Sequence, residues 1–410
     1  MLLYRLLTII FSPIILGHII WLSIKNKQTR YFWQRLGFNY SQLPKNCLWF
    51  HCASVGEVNT LMPLLINIHN KNEKLKFIIT TNTITGGEIV KKKKLGYLYH
   101  CYLPFDWNHS INRFLTTTKP SVIYIMETEI WPNLFALCAN KIDVYLINAR
   151  LSSKTTSSPQ WIKSLLKNSL SNAKFIYTRS EKDTQAYKNL GANNQHIATT
   201  GNLKLTAVLD NLQSTNTSTK ITEREYVLLA STHNNEEREI YNIWKKLNRK
   251  ELLIIAPRHP ERGQSIQKQL NNINIATRSQ NTTITQQTEI YLLDTVGELK
   301  NYFSTAKAVI MGGSFVPIGG HNILEPASFH CAIITGIYME NFQEELNLML
   351  ETKSIIQVKD YNELSDKLEE LLDSKELRTS LTNKTSDLEN KASLVLEKYT
   401  DIIHTTNYTK

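Results

Sequence analysis

The sequence predicts an α/β protein made of two tandem, doubly wound parallel-sheet domains. Three observations carry that reading. A chain of 410 residues is too long for one ordinary core and suits two. Short runs rich in Ile, Val and Tyr, apolar on both faces, recur with helix-like stretches between them, the pattern of a sheet covered on both sides. A polar stretch at 212–225, LQSTNTSTKITERE, has few large apolar side chains and reads as a linker between the halves.

Taken in chain order, the first element is apolar. Residues 6–24, LLTIIFSPIILGHIIWLSI, approach the ~20 residues needed to cross a bilayer. Pro13 and His18 interrupt it, so a shallow or kinked anchor over 1–30 is an alternative to a clean span. Lys25, Lys27, Arg30 and Arg35 follow at once, which puts the next domain on the cytoplasmic side. A cleaved leader fits less well, because KNKQTR stands where small cleavage-site residues belong.

Strands of the first domain (31–211) are expected in CLWFHCA (47–53), KFIITTN (76–82), LYHCYLP (98–104), SVIYIME (121–127), VYLINAR (144–150) and KFIYTRS (174–180). The second domain (226–400) repeats the plan in YVLLAST (226–232), ELLIIAP (251–257), EIYLLDT (289–295), AVIMGGS (308–314) and AIITG (332–336). From Tyr361 onward the charges alternate at helical spacing. Ligands of such sheets bind at the carboxyl ends of the strands, so facing domains would hold theirs in the cleft between them.

Charge narrows the partner. Residues 1–210 hold 25 Lys/Arg against 10 Asp/Glu, and residues 211–410 hold 22 against 26. The basic excess lies wholly in the N-terminal half, and the first acidic residue is Glu57. That asymmetry points to an anionic partner, and the apolar N-terminus selects membrane headgroups. No aromatic-basic motif supports nucleic acid. The five cysteines form no metal spacing, and Cys47 and Cys52 should face opposite sides of one strand as buried thiols.

The strongest local signal is MGGSFVPIGGHNILEPAS (311–328), with Gly312, Gly313, Gly319 and Gly320 in nine residues after a strand. Glycine admits close backbone approach, and a helix start capped by Asn322 would offer N–H groups to phosphate. Glu325 could complete a capping box or accept ribose hydroxyls. The spacing is neither a dinucleotide fingerprint nor a P-loop. In APRHPERG (256–263), Arg258 can pair with phosphate or carboxylate, or form a surface salt bridge. Gly297 of TVGE (295–298) can lie against a base or ribose. In HCASVGEV (51–58), Glu57 sits at a strand–helix turn, as a general base or simply a cap, and on its own the cap is favoured. Glu127 and Glu129 of METEIWPN (126–133) should alternate in facing, so at most one points to the ligand, and the pair is weak ground for a metal.

HCASVGEV, METEIWPNL, INARLS, TGNLK, PRHPER and GGSFVPIGGHNILEPA, in this order, resemble the Kdo (3-deoxy-D-manno-oct-2-ulosonic acid) transferases of lipopolysaccharide synthesis. The resemblance runs from the N-terminus to about residue 340, and only Cys52 and the stretch Val316–Ile318 depart from the pattern. It implies a GT-B glycosyltransferase fold and inverting, metal-independent transfer of Kdo from CMP-Kdo to lipid IVA, the lipid A precursor. It implies the cytoplasmic face of a Gram-negative inner membrane, with membrane lipids as further partners and no nucleic acid. By the same resemblance Glu57 is the general base and Glu127 a second acidic group that positions acceptor or donor. Pro257, Arg258, Val296, Gly297, Glu298, Asn322, Ile323, Leu324 and Glu325 match the CMP-binding segments. Two rival readings stay open: a membrane-associated GT-B enzyme using a UDP-sugar, and a non-catalytic module that binds anionic lipid.

Overall fold

The computed structural model describes residues 1–211, 222–271 and 273–408. The described chain forms two compact units, residues 1–203 with 394–410, and residues 204–393. Most of the expected linker, 212–225, lies outside the described residues. The second unit begins earlier than expected, at Lys204, and it ends at Ser393, short of the expected 400.

The first unit holds a seven-stranded, wholly parallel sheet. Its strands are β1 (Leu48–Cys52), β2 (Phe77–Thr81), β3 (Leu98–Tyr102), β4 (Val122–Met126), β5 (Asp143–Ala149), β6 (Phe175–Thr178) and β7 (Ile197–Thr199). The order β3-β2-β1-β4-β5-β6-β7 reverses direction between β1 and β4. Loops leaving neighbouring strands part there in opposite directions, which opens a crevice at the carboxyl ends. Alternation along β1 sends Trp49 into one apolar layer and Leu48, Phe50 and Cys52 into the other. Cys47 and Cys52 fall in opposite layers, as their spacing requires, and all five cysteines are free and buried.

The second unit repeats the design with β8 (Tyr226–Thr232), β9 (Leu252–Pro257), β10 (Ile275–Thr277), β11 (Ile290–Leu292), β12 (Ala308–Met311), β13 (Ile333–Thr335) and β14 (Ile356–Gln357). The order β10-β11-β9-β8-β12-β13-β14 puts its switch point between β8 and β12. Tyr226, Leu228 and Ala230 pack on one face of β8, and Val227 and Leu229 on the other.

The long helix Lys375–Tyr408 ends within the first unit. There Val395, Tyr399 and Ile403 join the core beside β1 and β4. The Tyr399 hydroxyl accepts from Asn148 N (3.1 Å) and donates to the Gly201 carbonyl (3.2 Å).

The apolar N-terminus is two helices, α1 (Leu2–Ile10) and α2 (Ser12–Lys25), bent by 55°. Among the described residues no single helix is long and apolar enough to cross a membrane. Pro13 enters α2 at its first turn, where its missing N–H costs nothing. Polar groups fasten α1 to the domain: Tyr4 Oη donates to Asp106 (2.9 Å) and Arg5 Nε to Asn133 (3.0 Å). Leu2, Leu6, Ile9, Ile14, Trp21 and Ile24 are left exposed.

Candidate active site

The crevice of the first sheet is lined by carboxylates. Ser54 caps the helix Val55–Lys71, its hydroxyl accepting from Glu57 N at 3.4 Å. Glu57 reaches back, Oε2 accepting from Ala53 N (2.8 Å) and Oε1 from the Ser54 hydroxyl (3.0 Å). This is a variant of the capping box that closes on the Ser54 hydroxyl and Ala53 N rather than on Ser54 N, so the cap reading of Glu57 is realised. It is not the whole account. Burial pushes the Glu57 carboxyl up to about 7, against the Ala53 and Ser54 hydrogen bonds, and Glu127 and Glu129 add to the rise. A fixed carboxyl that titrates near neutrality is chemically apt to take a proton from a hydroxyl.

Glu127 and Glu129 do not obey strand alternation, because β4 stops at Met126. Glu127 adopts φ 53°, a left-handed conformation that costs a non-glycine residue about 1 kcal/mol or more. Its carboxylate, 8% exposed, lies 2.6 Å from Arg150 Nε, a close ion contact without hydrogen-bond alignment. The Tyr187 hydroxyl holds the turn through the carbonyls of Glu127 (3.3 Å) and Arg150 (3.2 Å). Glu129 Oε2 accepts from Asn82 Nδ2 and Trp131 Nε1, both at 3.0 Å, and lies 3.6 Å from His51 Nε2. Burial opposes ionisation of Glu129, yet these neighbours hold its carboxyl below the ordinary value. Buried Arg35 donates to Asn82 Oδ1 (3.2 Å) and the Leu103 carbonyl (2.7 Å), so a guanidinium backs the same cluster.

The second switch point carries two imidazoles and an exposed arginine. Near the end of β8 the backbone bulges at Ser231, at φ 58°, with a register shift between Ala230 and Thr232. That bulge aims His233 toward the Gly-rich loop that follows β12. Buried Glu236 fastens the loop, accepting from Gly313 N (2.8 Å), Phe315 N (3.1 Å) and His233 N (2.8 Å). His233 and His321 stack at 5.1 Å with Nε2 to Nε2 at 2.8 Å. Gly313 allows this: a Cβ there would lie 2.9 Å from the His321 ring, at φ 68°. Nearby, Arg262 is consumed by Glu237 (2.8 and 3.2 Å) and the Thr232 carbonyl (3.1 Å). The Arg258 side chain is exposed and makes no hydrogen bond or ion pair among the described residues.

The segments matched to CMP binding fall at the carboxyl ends of strands. Pro257 closes β9, and Arg258 N donates to the Thr232 carbonyl at 3.0 Å. Val296 is 86% exposed, and Gly297 has φ 87° with open space where a side chain would stand. Glu298 is already engaged, accepting from Arg278 Nη2 (2.7 Å) and Nε (3.0 Å). Asn322 accepts from Leu324 N at 3.1 Å across a local turn, but it is not the helix cap: that position is Ile323, which makes no side-chain cap, and the helix is one turn, Leu324–Ala327. The capping box expected of Glu325 does not form, for its carboxylate turns to Lys300 Nζ at 3.7 Å. Ile323 and Leu324 bury their side chains in the core, leaving only backbone for a ligand. His233, Glu236 and His321 are absent from the residues expected from sequence. The polar run STHNNEE (231–237) at the end of β8 marks His233 and Glu236, and GGHN (319–322) of the Gly-rich segment holds His321.

Two doubly wound parallel-sheet units, each with chemistry at its switch point, define a protein of GT-B architecture. Solved structures with this fold include a glycosyltransferase from Rickettsia africae (TM-score 0.58, 12% identity, covering 88% of this chain and 98% of that one). A UDP-GlcNAc 2-epimerase from Neisseria meningitidis matches equally (TM-score 0.58, 14% identity, 86% and 99% covered). At these identities the likeness shows the fold alone.

Sequence relatives are more specific. Residues 30–207 match the family described as 3-deoxy-D-manno-octulosonic-acid transferase (kdotransferase). The 3-deoxy-D-manno-octulosonic acid transferase of Haemophilus influenzae is 34% identical over 411 residues, 95% of either chain. That of Rickettsia felis is 32% identical over 88% of this chain and 79% of its own. The chain belongs to the 3-deoxy-D-manno-octulosonic acid (Kdo) transferase family.

Proposed function

We propose that this chain transfers Kdo from CMP-Kdo to the lipid A precursor lipid IVA, with inversion and without a metal. Its membership makes it a glycosyltransferase, a Kdo transferase of lipopolysaccharide synthesis. The observation that carries the mechanism is Glu57, a carboxyl pushed up to about 7 at the end of β1 and fixed by two hydrogen bonds. In the ionised form it takes the proton of the acceptor hydroxyl as that oxygen attacks the anomeric carbon of Kdo. CMP then leaves with the bonding electron pair on its phosphate oxygen. Glu127 and Arg150 form a rigid charged pair that positions a reactant beside it. In the second unit, Arg258 meets the donor's anionic groups, and Gly297 with the backbone from Asn322 to Glu325 receives the nucleotide. Backbone N–H groups and a guanidinium stabilise the departing phosphate, which is the role a cation would otherwise fill.

Location at the cytoplasmic face of the inner membrane is part of the proposal. The exposed apolar side chains of α1 and α2, next to Lys25, Lys27 and Arg30, suit helices lying in an anionic bilayer surface. The deciding experiment incubates the full chain with CMP-Kdo and lipid IVA in EDTA and reads the product by mass spectrometry. Addition of Kdo is expected. No product, or product only after Mg²⁺ is restored, refutes respectively the substrate pair or the metal-free step.

A further inference from the structure

The second unit holds a pair of imidazoles near Arg258, an exposed guanidinium with no ion pair among the described residues. His233 and His321 share one close contact, Nε2 to Nε2 at 2.8 Å, with their rings 11° from parallel. At that distance one imidazole donates and the other accepts. The neutral pair therefore holds a single proton between the two Nε2 atoms. The accepting ring already carries its proton on Nδ1, so a further proton goes to the donor's Nδ1, which leaves that bond intact and makes the pair a monocation.

Charged and titratable groups face the pair from two neighbouring elements. After β9 stand Arg258, His259, whose ring lies 5.9 Å from that of His233, and Arg262. From the helix Glu236–Leu247 come Glu236 and Glu237. Both carboxylates are engaged elsewhere, Glu236 by three backbone N–H groups and Glu237 by Arg262 and Thr232, and the pull of Glu237 on His233 is outweighed by burial and the nearby cations. Desolvation by burial, then the neighbouring imidazole and Arg258, lower His321 to about 4; burial, His259 and Arg262 lower His233. Without a ligand the pair is thus neutral at physiological pH. An anion set against Arg258 reverses the sign of the local field and favours the charged form.

We propose that His233 and His321 read the phosphate of the donor nucleotide together with Arg258, and that the pair takes up one proton as that phosphate binds. The inference rests on the reading that this unit binds a CMP-linked sugar. It also gives Gly313 a task, since any side chain there would push the two rings apart. Release of the nucleotide after transfer returns the proton, so donor affinity and pH are linked through these two side chains.

The test is calorimetric titration of the full chain with CMP between about pH 6 and pH 8, in buffers of different ionisation enthalpy. Wild type, His233→Asn, His321→Asn and the hydrogen-bonding variant His321→Gln are compared, with cytidine as the ligand lacking phosphate. Titration of the CMP phosphate itself is common to all four proteins and cancels in the comparison. Wild type should take up as much as one proton more per CMP than the Asn variants. Its affinity should gain up to about tenfold more per pH unit of acidification, the slope of one linked proton. Cytidine should show no such excess. Because an Asn variant can misfold, the imidazole Cε1–H resonances of wild type are followed as well, and CMP should move the pair's titration upward. Equal proton uptake and equal slopes in wild type and variants, or resonances that CMP leaves unmoved, overturn this inference while CMP binding stands. Failure of wild type to bind CMP at all overturns the donor reading and this inference together.

Discussion

Lowering the pH should switch the transferase off through one carboxyl. Glu57 is pushed up to about 7 by burial, partly offset by the Ala53 N–H, with Glu127 and Glu129 adding to the rise. A general base works only when ionised. At about pH 6 roughly one tenth of Glu57 carries charge, so kcat/KM should fall about tenfold per pH unit below its midpoint. The assay is initial-rate transfer to lipid IVA from about pH 5.5 to pH 8.5, with donor concentrations low enough to read kcat/KM. Glu57→Gln keeps an oxygen for the capping bonds but no base, and should lose about 10²–10⁴-fold at every pH. Glu127→Gln removes a repelling charge and should move the acid limb of the profile to lower pH. The same shift has a stability consequence. A folded-state carboxyl raised above its unfolded value favours the fold at low pH and loses that contribution as pH climbs through about 7. The difference amounts to about 3 kcal/mol in order of magnitude. Relative to wild type, Glu57→Gln should therefore gain thermal stability at about pH 8 and not at about pH 4.5. A flat rate profile from about pH 5.5 to pH 8.5, or near-full activity in Glu57→Gln, would refute the assignment.

Other predictions follow from neighbouring contacts. Glu236→Ala strands three backbone N–H groups and should destabilise the second unit by about 3 kcal/mol or more, read by urea unfolding. Arg258→Ala, which breaks no contact among the described residues, should weaken CMP binding about 10–100-fold and leave the unfolding midpoint unchanged. Ser54→Ala removes the N-cap beside Glu57 and should cost about 1 kcal/mol, with a further rise in the midpoint of the rate profile. Turnover of UDP-hexoses in place of CMP-Kdo would contradict the proposed donor.

How much of this was legible in the sequence follows from what each feature depends on. The eleven expected strands are all present, because burial on both faces writes itself into consecutive residues. The three strands without such a signature, β7, β10 and β14, span only two or three residues and pair at or near sheet edges. Glu57 was legible as a cap from Ser54 three residues before it, but its shifted proton affinity comes from burial first and then from Glu127 and Glu129, all set by the fold rather than by local sequence. Alternation misread those two carboxylates for a local reason: it assumes extended backbone, and Glu127 is left-handed. Ile323 and Leu324 show the opposite limit, a motif whose position matches a binding segment while its side chains serve the core. The His233–His321 pair needs two loops, 88 residues apart, to meet over a glycine. No window of sequence contains both. The sequence marks which loops carry chemistry, since they follow buried strands at a switch point, and the partnership between loops is a property of the fold. The proposed mechanism draws on that partnership in both units: in the first, burial and the neighbouring carboxylates raise Glu57, and in the second Arg258 makes no ion pair among the described residues.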